Sequence, residues 1–424
     1  MRPGPGNQNH HGATTEGDRP LAGVRVADLS RVLAGPYATM LLADMGADVV
    51  KVEHPEYGDD TRAWGPPWAH GESAYFLSVN RGKRSLAIDV KAPEGREAVR
   101  ELCAGADVVI QNFRPGVVER LGLDHETVAA RNPAVVYCSI TGFGTGHEPA
   151  GRPGFDAIVQ AESGLMRATG PPEGPASRVG VAMSDILTGL NATVAILGAL
   201  MRARATGRGE HVTASLINSA LSSLASLSQQ ALVTGEEPAR YGNAHPSIVP
   251  YQTFRTADDD IVIAAGNDSL YQRLCEALER PDLAADARFA SNPNRIEHRE
   301  ELVGEITATL RTRRAAEWLA VLTAAGVPVG RVRGVLDAVH AANAAGDEAT
   351  TTVAHPTAGV LDLLRPGFQL GSPGGGGGTL PPPLLGQHST GVLDELGIPR
   401  ERITAMAERG VVFAAEERSD APRR

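Results

Sequence analysis

The sequence predicts an α/β fold: a doubly wound large domain built on a parallel sheet, with a second, smaller α+β domain. Two observations carry that prediction. Between Leu21 and Ile140, short β-branched runs alternate with stretches of helical periodicity, the rhythm of strands joined by crossover helices. At Tyr241 the pattern changes to an alternating run punctuated by turn residues, which signals a hairpin. A length of 424 residues exceeds one typical domain.

Taken in order, residues 1–19 are rich in Gly, Pro, His and Asn without periodicity and read as a disordered leader. The N-terminal part of the large domain is expected over 20–215. Its strands are predicted at Val24–Leu29, Asp48–Glu53, Ser85–Val90, Asp107–Ile110 and Val135–Ile140, with helices opening at Pro36 and Pro93. A long apolar helix follows over Ile186–Met201. Ser184 is its expected N-cap, Arg202 and Arg204 lie in its last turn, and Gly207 can close it in the left-handed conformation. The apolar, serine-interleaved stretch Val212–Val233 predicts another long helix, leading into a helical linker over 216–240. The small domain is expected over 241–330. It opens with a hairpin turning at Asp258-Asp259-Asp260 and continues with helices near Ser269–Leu278, Arg295–Leu310 and Arg314–Ala325. Residues 331–413 are expected to return to the large domain, carrying a Gly/Pro-rich loop at 371–383 that reads as an insertion. A charged tail at 414–424 is expected to be disordered.

Composition narrows the function classes. A formal net charge of −10 without lysine or arginine clustering argues against nucleic-acid binding. Cys103, Cys138 and Cys275 sit in or beside apolar segments without metal-binding spacing, so neither a disulfide framework nor a zinc or other metal site is indicated. The N-terminal residues have no apolar core of a signal peptide, and no run of about 18 apolar residues is apparent. A cytoplasmic protein without membrane contact is the expectation.

Ligands of a doubly wound sheet bind beyond the carboxyl ends of its strands. The loops there are Ser30–Tyr37, His54–Trp64, Gln111–Gly122 and Thr141–Gly146, rich in Gly, Arg and Asn. None supplies G-x-G-x-x-G directly after the first strand, which argues against a dinucleotide-dependent hydride transfer. Arginine suits phosphate recognition through its planar donor fork, and Arg62, Arg81, Arg84, Arg114 and Arg120 recur near these loops with Lys83. At the start of the long apolar helix stands Asp185. The positive helix end there is expected to favour its ionised form, available as a nucleophile.

These residues resemble the class III coenzyme A transferases, a family that includes formyl-CoA transferases and α-methylacyl-CoA racemases. The likeness runs from Leu21 to Phe413. It is carried by LAGVRVADLSRVLAGPYATMLLADMGADVVKVE (Leu21–Glu53), GDDTR (Gly58–Arg62), NRGKRSLAIDV (Asn80–Val90), QNFRPGVVERLG (Gln111–Gly122), RPGFDAIVQAESGLM (Arg152–Met166), SDILTG at Asp185, TGRGEHV (Thr206–Val212) and LLGQHST (Leu384–Thr390). The resemblance implies a Rossmann-like large domain built from both ends of the chain, with the small domain between, and an interlocked, ring-shaped homodimer. It puts Asp185 at the position of the catalytic aspartate. Its coenzyme A site maps onto Val32, Leu33 and Ala34, onto Lys83 and Arg84 near the adenosine phosphates, and onto Arg120. Two further positions of that site depart from the family, with His54 for a basic residue after the second strand and Thr141 for a lysine.

The family's chemistry implies transfer of coenzyme A from an acyl-CoA donor to a free carboxylic acid, through a mixed anhydride and an aspartyl-CoA thioester on Asp185. Coenzyme A is then a substrate, and no permanently bound cofactor is expected. The stretch NAHPSIVPYQTF (Asn243–Phe254) resembles members that use dicarboxylates such as succinyl-CoA with glutarate. A racemase of the same family needs a histidine before the motif aspartate, and here Phe155 precedes Asp156, a side chain that cannot carry a proton. The alternative of another class is a catalytically silent acyl-CoA-binding protein, which the presence of Asp185 disfavours.

Overall fold

The computed structural model describes residues 19–144, 152–370 and 380–415. The expectations for the leader before Arg19, the glycine run at 371–379 and the tail after Ala415 lie outside the described residues. The chain divides into two compact units. One takes the residues up to Ser163, Val179–Ser228 and those from Glu348 onward; the other takes Gly164–Arg178 and Gln229–Asp347.

The first unit is built on a parallel sheet of β1 (Arg25–Asp28), β2 (Asp48–Glu53), β3 (Lys83–Ile88), β4 (Val108–Gln111), β5 (Val136–Thr141) and β6 (Glu210–Ser215). Their spatial order is β3-β2-β1-β4-β5-β6, with Val412–Phe413 added antiparallel outside β3. Chain order reverses on either side of β1, so the β1 and β4 loops diverge and leave a crevice, where ligands of such sheets bind. The central strands read as nearly continuous aliphatic runs because both faces are covered: Val26, Val49, Val108 and Val136 face one core, and Ala27, Val50, Val109 and Tyr137 the other.

Three helices on one face set the site. α1 (Ala34–Asp44) is buried along nearly its whole length. Further along the chain come α2 (Asp156–Glu162) and the 24-residue α3 (Met183–Thr206). A side chain at Gly189 of α3 would come within 2.8 Å of the Ala34 carbonyl, so only glycine lets α3 lie this close to the start of α1. Gly207 ends α3 at φ 70°, and its N–H reaches the Ala203 carbonyl at 2.8 Å, as expected.

Three sequence expectations are corrected. α3 begins at Met183 rather than after Ser184; its N-cap Ala182 offers no side-chain acceptor, and the cap comes from a distant carboxylate. Val212–Val233 is not one helix. The edge strand β6 occupies its start, followed by helices Leu216–Ser223 and Ser226–Thr234, because alternating burial in EHVTAS is strand periodicity. Finally, α3 is by length and composition apolar enough to cross a membrane; here it is a core helix, its inner face packed with α1.

The second unit holds the expected hairpin, Tyr251–Arg255 with Asp260–Ala264, and a third antiparallel strand, Val329–Arg331. Helices Asp268–Ala277, Arg299–Leu310 and Ala315–Ala324 close over it around Trp318, Tyr271 and Phe289. That third strand and the helix Val335–Ala345 belong to this unit, so the chain re-enters the first unit at Glu348 rather than at 331.

Candidate active site

The loop from Ser30 to Ala34 is pinned from beneath. Asp28, the last residue of β1, is fully buried and accepts from the Ser30 amide at 3.0 Å, the Ser30 hydroxyl, Thr39 Oγ1 at 2.6 Å and Lys83 Nζ at 3.2 Å. Burial alone would raise its carboxyl pKa, but Lys83 and Lys51 outweigh that and hold it below the usual range. Lys51 pairs with Asp59 at 2.8 Å and donates to the Ser30 carbonyl at 3.0 Å. Asp59 in turn accepts the Val32 amide at 3.2 Å. Val32 stands at φ 72°, unusual for a β-branched residue, and that hydrogen bond helps hold it there. Across the crevice, the Arg31 amide donates to Asn112 Oδ1 at 2.9 Å and Asn112 Nδ2 returns a bond to the Arg31 carbonyl at 2.7 Å, tying the β1 loop to the β4 loop.

Over these loops lies a cavity of about 430 Å³. Val32, Ala34, Phe113 and Arg114 line it from the β1 and β4 loops, Thr141 and Phe143 from the β5 loop, and Phe155 and Asp185 from the starts of α2 and α3. Side chains at Gly142 and Gly154 would each fall within 2.6 Å of the other's Cα, so two glycines let the β5 loop and the approach to α2 meet backbone to backbone. Arg31, Arg114 and Arg152 supply positive charge and Trp64 an aromatic wall; Arg152 is paired with Glu162 and lies over the Phe143 ring at 4.6 Å.

Two carboxylates line this cavity: Asp60, which pairs with Arg31, and Asp185. Burial pushes the pKa of Asp185 up to about 7, the neighbouring Asp156 adds to the rise, and a hydrogen bond from the Ala34 amide opposes it. No cation is ion-paired with it among the described residues. The expectation that the helix end would hold Asp185 ionised is thereby corrected: desolvation and a like charge outweigh the dipole. Asp156 takes the Ser184 amide instead, at 2.9 Å, leaving the buried Ser184 hydroxyl without a partner among the described residues.

Of the expected coenzyme A contacts, Val32, Ala34 and Thr141 line the cavity, and Thr141 Oγ1 also accepts the Gly144 amide at 2.9 Å. Leu33 is buried below them with Met40 and Val79. The phosphate role expected of Lys83 is corrected: it is completely buried, with its donors spent on Asp28, the Pro36 carbonyl and Asn80, and burial lowers its pKa to about 8. Arg84 is likewise committed, to Asp48 and Glu395 near the amino ends of the strands. His54 stacks on Tyr57 at 3.8 Å, and Arg120 is exposed at the end of the helix Val117–Leu121; neither lines the cavity. Nothing in the sequence singles out Arg31, Trp64, Asn112, Phe113 or Arg152, which also line the cavity, beyond the position of the first four on loops that follow strands.

The model of CoA-transferase family III matches residues 21–389. A succinyl-CoA:glutarate CoA-transferase from Mus musculus is 41% identical over 383 residues, 89% of this chain and 86% of that protein. A succinate–glutarate CoA-transferase from Agrobacterium fabrum is 44% identical over 322 residues, 74% of this chain and 80% of that protein. Among solved structures, a CAIB/BAIF family protein from Brucella suis superposes with a TM-score of 0.80 at 39% identity, covering 89% of this chain and 99% of that one.

Proposed function

Because the chain belongs to CoA-transferase family III and is therefore a CoA-transferase, we propose that it exchanges coenzyme A between succinyl-CoA and a second dicarboxylate of glutarate type, with Asp185 as the nucleophile. The observation that carries this reading is a half-buried carboxylate facing the cavity, raised to about pKa 7 and without a paired cation among the described residues. A structural aspartate is neutralised by a cation or by several N–H donors; Asp185 has one backbone donor and a like-charged neighbour. Near neutral pH about half of it is ionised, and that fraction is a stronger nucleophile than an ordinary carboxylate.

In the proposed sequence, an Asp185 oxygen attacks the thioester carbonyl, the C–S bond breaks, and coenzyme A leaves as the thiolate. The thiolate attacks the Asp185 carbonyl of the resulting anhydride, releasing the donor as a free carboxylate and leaving an aspartyl-CoA thioester. The acceptor carboxylate attacks that thioester and expels the thiolate. Return of the thiolate to the acceptor's acyl carbon yields the new acyl-CoA and regenerates the Asp185 carboxylate. Each step exchanges one acyl bond for another, so no external energy source is needed. Water must be kept from the anhydride, and Phe143, Phe155, Trp64 and Leu216 supply apolar walls.

The remaining expectations enter as parts of the same proposal. Val32, Ala34 and Thr141 contact coenzyme A, with Arg31 and Arg114 as the cations nearest to hand for its phosphates. A second copy of the chain covers the exposed apolar residues Val194 and Met201 of α3, as the family's interlocked dimer would. Three unpaired, buried cysteines fit the reducing conditions of the cytoplasm. A matrix of acyl-CoA donors against free mono- and dicarboxylic acids, read by mass spectrometry, tests the substrate class. Turnover with monocarboxylates alone would overturn it.

A further inference from the structure

We infer that Asp156 is a positioning residue for Asp185: its carboxylate caps the helix that carries Asp185 and sets a second negative charge behind it. The inference rests on the reading of Asp185 as the nucleophile. α3 has no side-chain cap of its own, since Ala182 stands at the N-cap. Asp156 and Gln160, one turn apart on α2, supply the missing acceptors and donors. Asp156 Oδ1 accepts the Ser184 amide at 2.9 Å, and Oδ2 accepts Gln160 Nε2 at 2.8 Å. Gln160 Nε2 also donates to the Val181 carbonyl at 3.2 Å, while its Oε1 accepts the Val179 amide at 2.8 Å. The backbone from Val179 to Ser184 is thus held at three points by two buried side chains, and Asp185 is the next residue.

The arrangement divides two carboxylates by role. Asp156 takes the free N–H at the helix end, which is the donor that would otherwise stabilise a charge in the first turn. Asp185 is left with burial, a like charge close by and one opposing amide. The other groups that face this centre do not change the sign. Tyr75, from the helix Ala74–Val79, is pushed up to about 12 by burial and by Asp185, Asp156 and Asp59, so it stays neutral. Arg31, Arg114 and Arg152 share the cavity without pairing to Asp185. Keeping one anion beside the nucleophile raises its proton affinity, and with it the reactivity of its ionised form.

A cap that was only structural would change stability and leave the protonation of Asp185 where it is, and labelling separates the two. A water-soluble carbodiimide modifies protonated carboxyls, and peptide mass spectrometry quantifies its addition to Asp185 over a pH series on the full chain. In the wild type the labelling midpoint should lie near 7. In Asp156→Asn, which keeps an oxygen for the Ser184 amide, the midpoint should move to lower pH and labelling at neutral pH should fall several-fold. Asp156→Ser provides a second neutral variant should the amide clash with Gln160. Gln160→Met, which keeps the charge and loosens the clamp, should leave the midpoint near the wild-type value and lower kcat more than it raises KM. A midpoint unmoved, or moved upward, in a folded neutral variant overturns the inference. Hydroxylamine trapping on the same wild-type sample keeps the two ideas apart: no hydroxamate on Asp185 sinks the nucleophile, whereas the midpoint reports on Asp156 alone.

Discussion

Lys51 and Asp59 meet at 2.8 Å, Nζ to Oδ2, with neither side chain exposed to solvent. Through Asp59 this pair also holds the amides of Val32 and Thr61, so one buried ion pair fixes the GDDTR turn against the loop that lines the cavity.

That pair makes the protein acid-sensitive in a defined window. Burial alone would raise the Asp59 carboxyl, but Lys51 outweighs it and holds the pKa at about 2, against 3.8 for the free group. The folded value is the lower one, so the contribution, on the order of 2 kcal/mol, is fully present above pH 3.8 and lost as pH falls towards 2. Glu53 and Asp28 shift in the same direction. The resistance of the wild type to urea should therefore fall steeply below pH 4, and Asp59→Asn should flatten part of that slope. An equal slope in both proteins would rule out this role for Asp59.

Gly189→Ala probes the closeness of α3 and α1. Its Cβ would lie 2.8 Å from the Ala34 carbonyl, and that backbone can yield only by moving α1 and α3 apart. A loss of about 1–3 kcal/mol is expected from overpacking. Because Ala34 also supplies the amide that bonds Asp185, kcat should fall along with stability. A variant of unchanged melting temperature and unchanged kcat would show that the contact is slack.

Asp185 costs stability where it serves function. Its folded pKa, about 7, lies above the free value of 3.8, so the cost of burying its charge is absent below pH 3.8 and fully present above 7. Asp185→Asn should therefore be more stable than the wild type at pH 8, on the order of 4 kcal/mol, and nearly equal to it at pH 4. Denaturant midpoints at the two pH values measure this, and a destabilised variant at pH 8 would contradict it.

Phe155 lines the cavity beside Asp156 and is 61% exposed, with no group to carry a proton. In deuterated buffer, a chiral 2-methylacyl-CoA should gain no deuterium at its α-carbon at a rate comparable with coenzyme A exchange. Wash-in as fast as transfer would restore the racemase.

The sheet is legible because its inner strands carry short aliphatic runs between turn residues, and the crevice follows from the order of the elements. What stayed hidden is what distant residues decide. Ser184 has the composition of an N-cap, yet Asp156, 28 residues earlier, performs that task and shifts the helix start. Lys83 reads as a free cation in any window of sequence. Its neutralisation by Asp28, 55 residues away, exists only in the folded chain. The raised pKa of Asp185 is hidden for the same reason: the helix dipole is a local property, whereas burial and the charge of Asp156 come from the packing of α2 against α3. VTAS, the end of β6, reads as the start of a helix because an edge strand this short carries little periodic signal without its partner β5.

The central claim is that Asp185 becomes covalently bonded during turnover, and trapping with hydroxylamine tests it most directly. Wild-type protein should lose activity to hydroxylamine only when acyl-CoA is present and should carry a hydroxamate on Asp185, visible by peptide mass spectrometry. Asp185→Asn should remain folded, form no adduct and lose transfer by several orders of magnitude. A folded Asp185→Asn variant that keeps a substantial fraction of wild-type transfer, or a wild type that turns over without forming the adduct, would contradict the account.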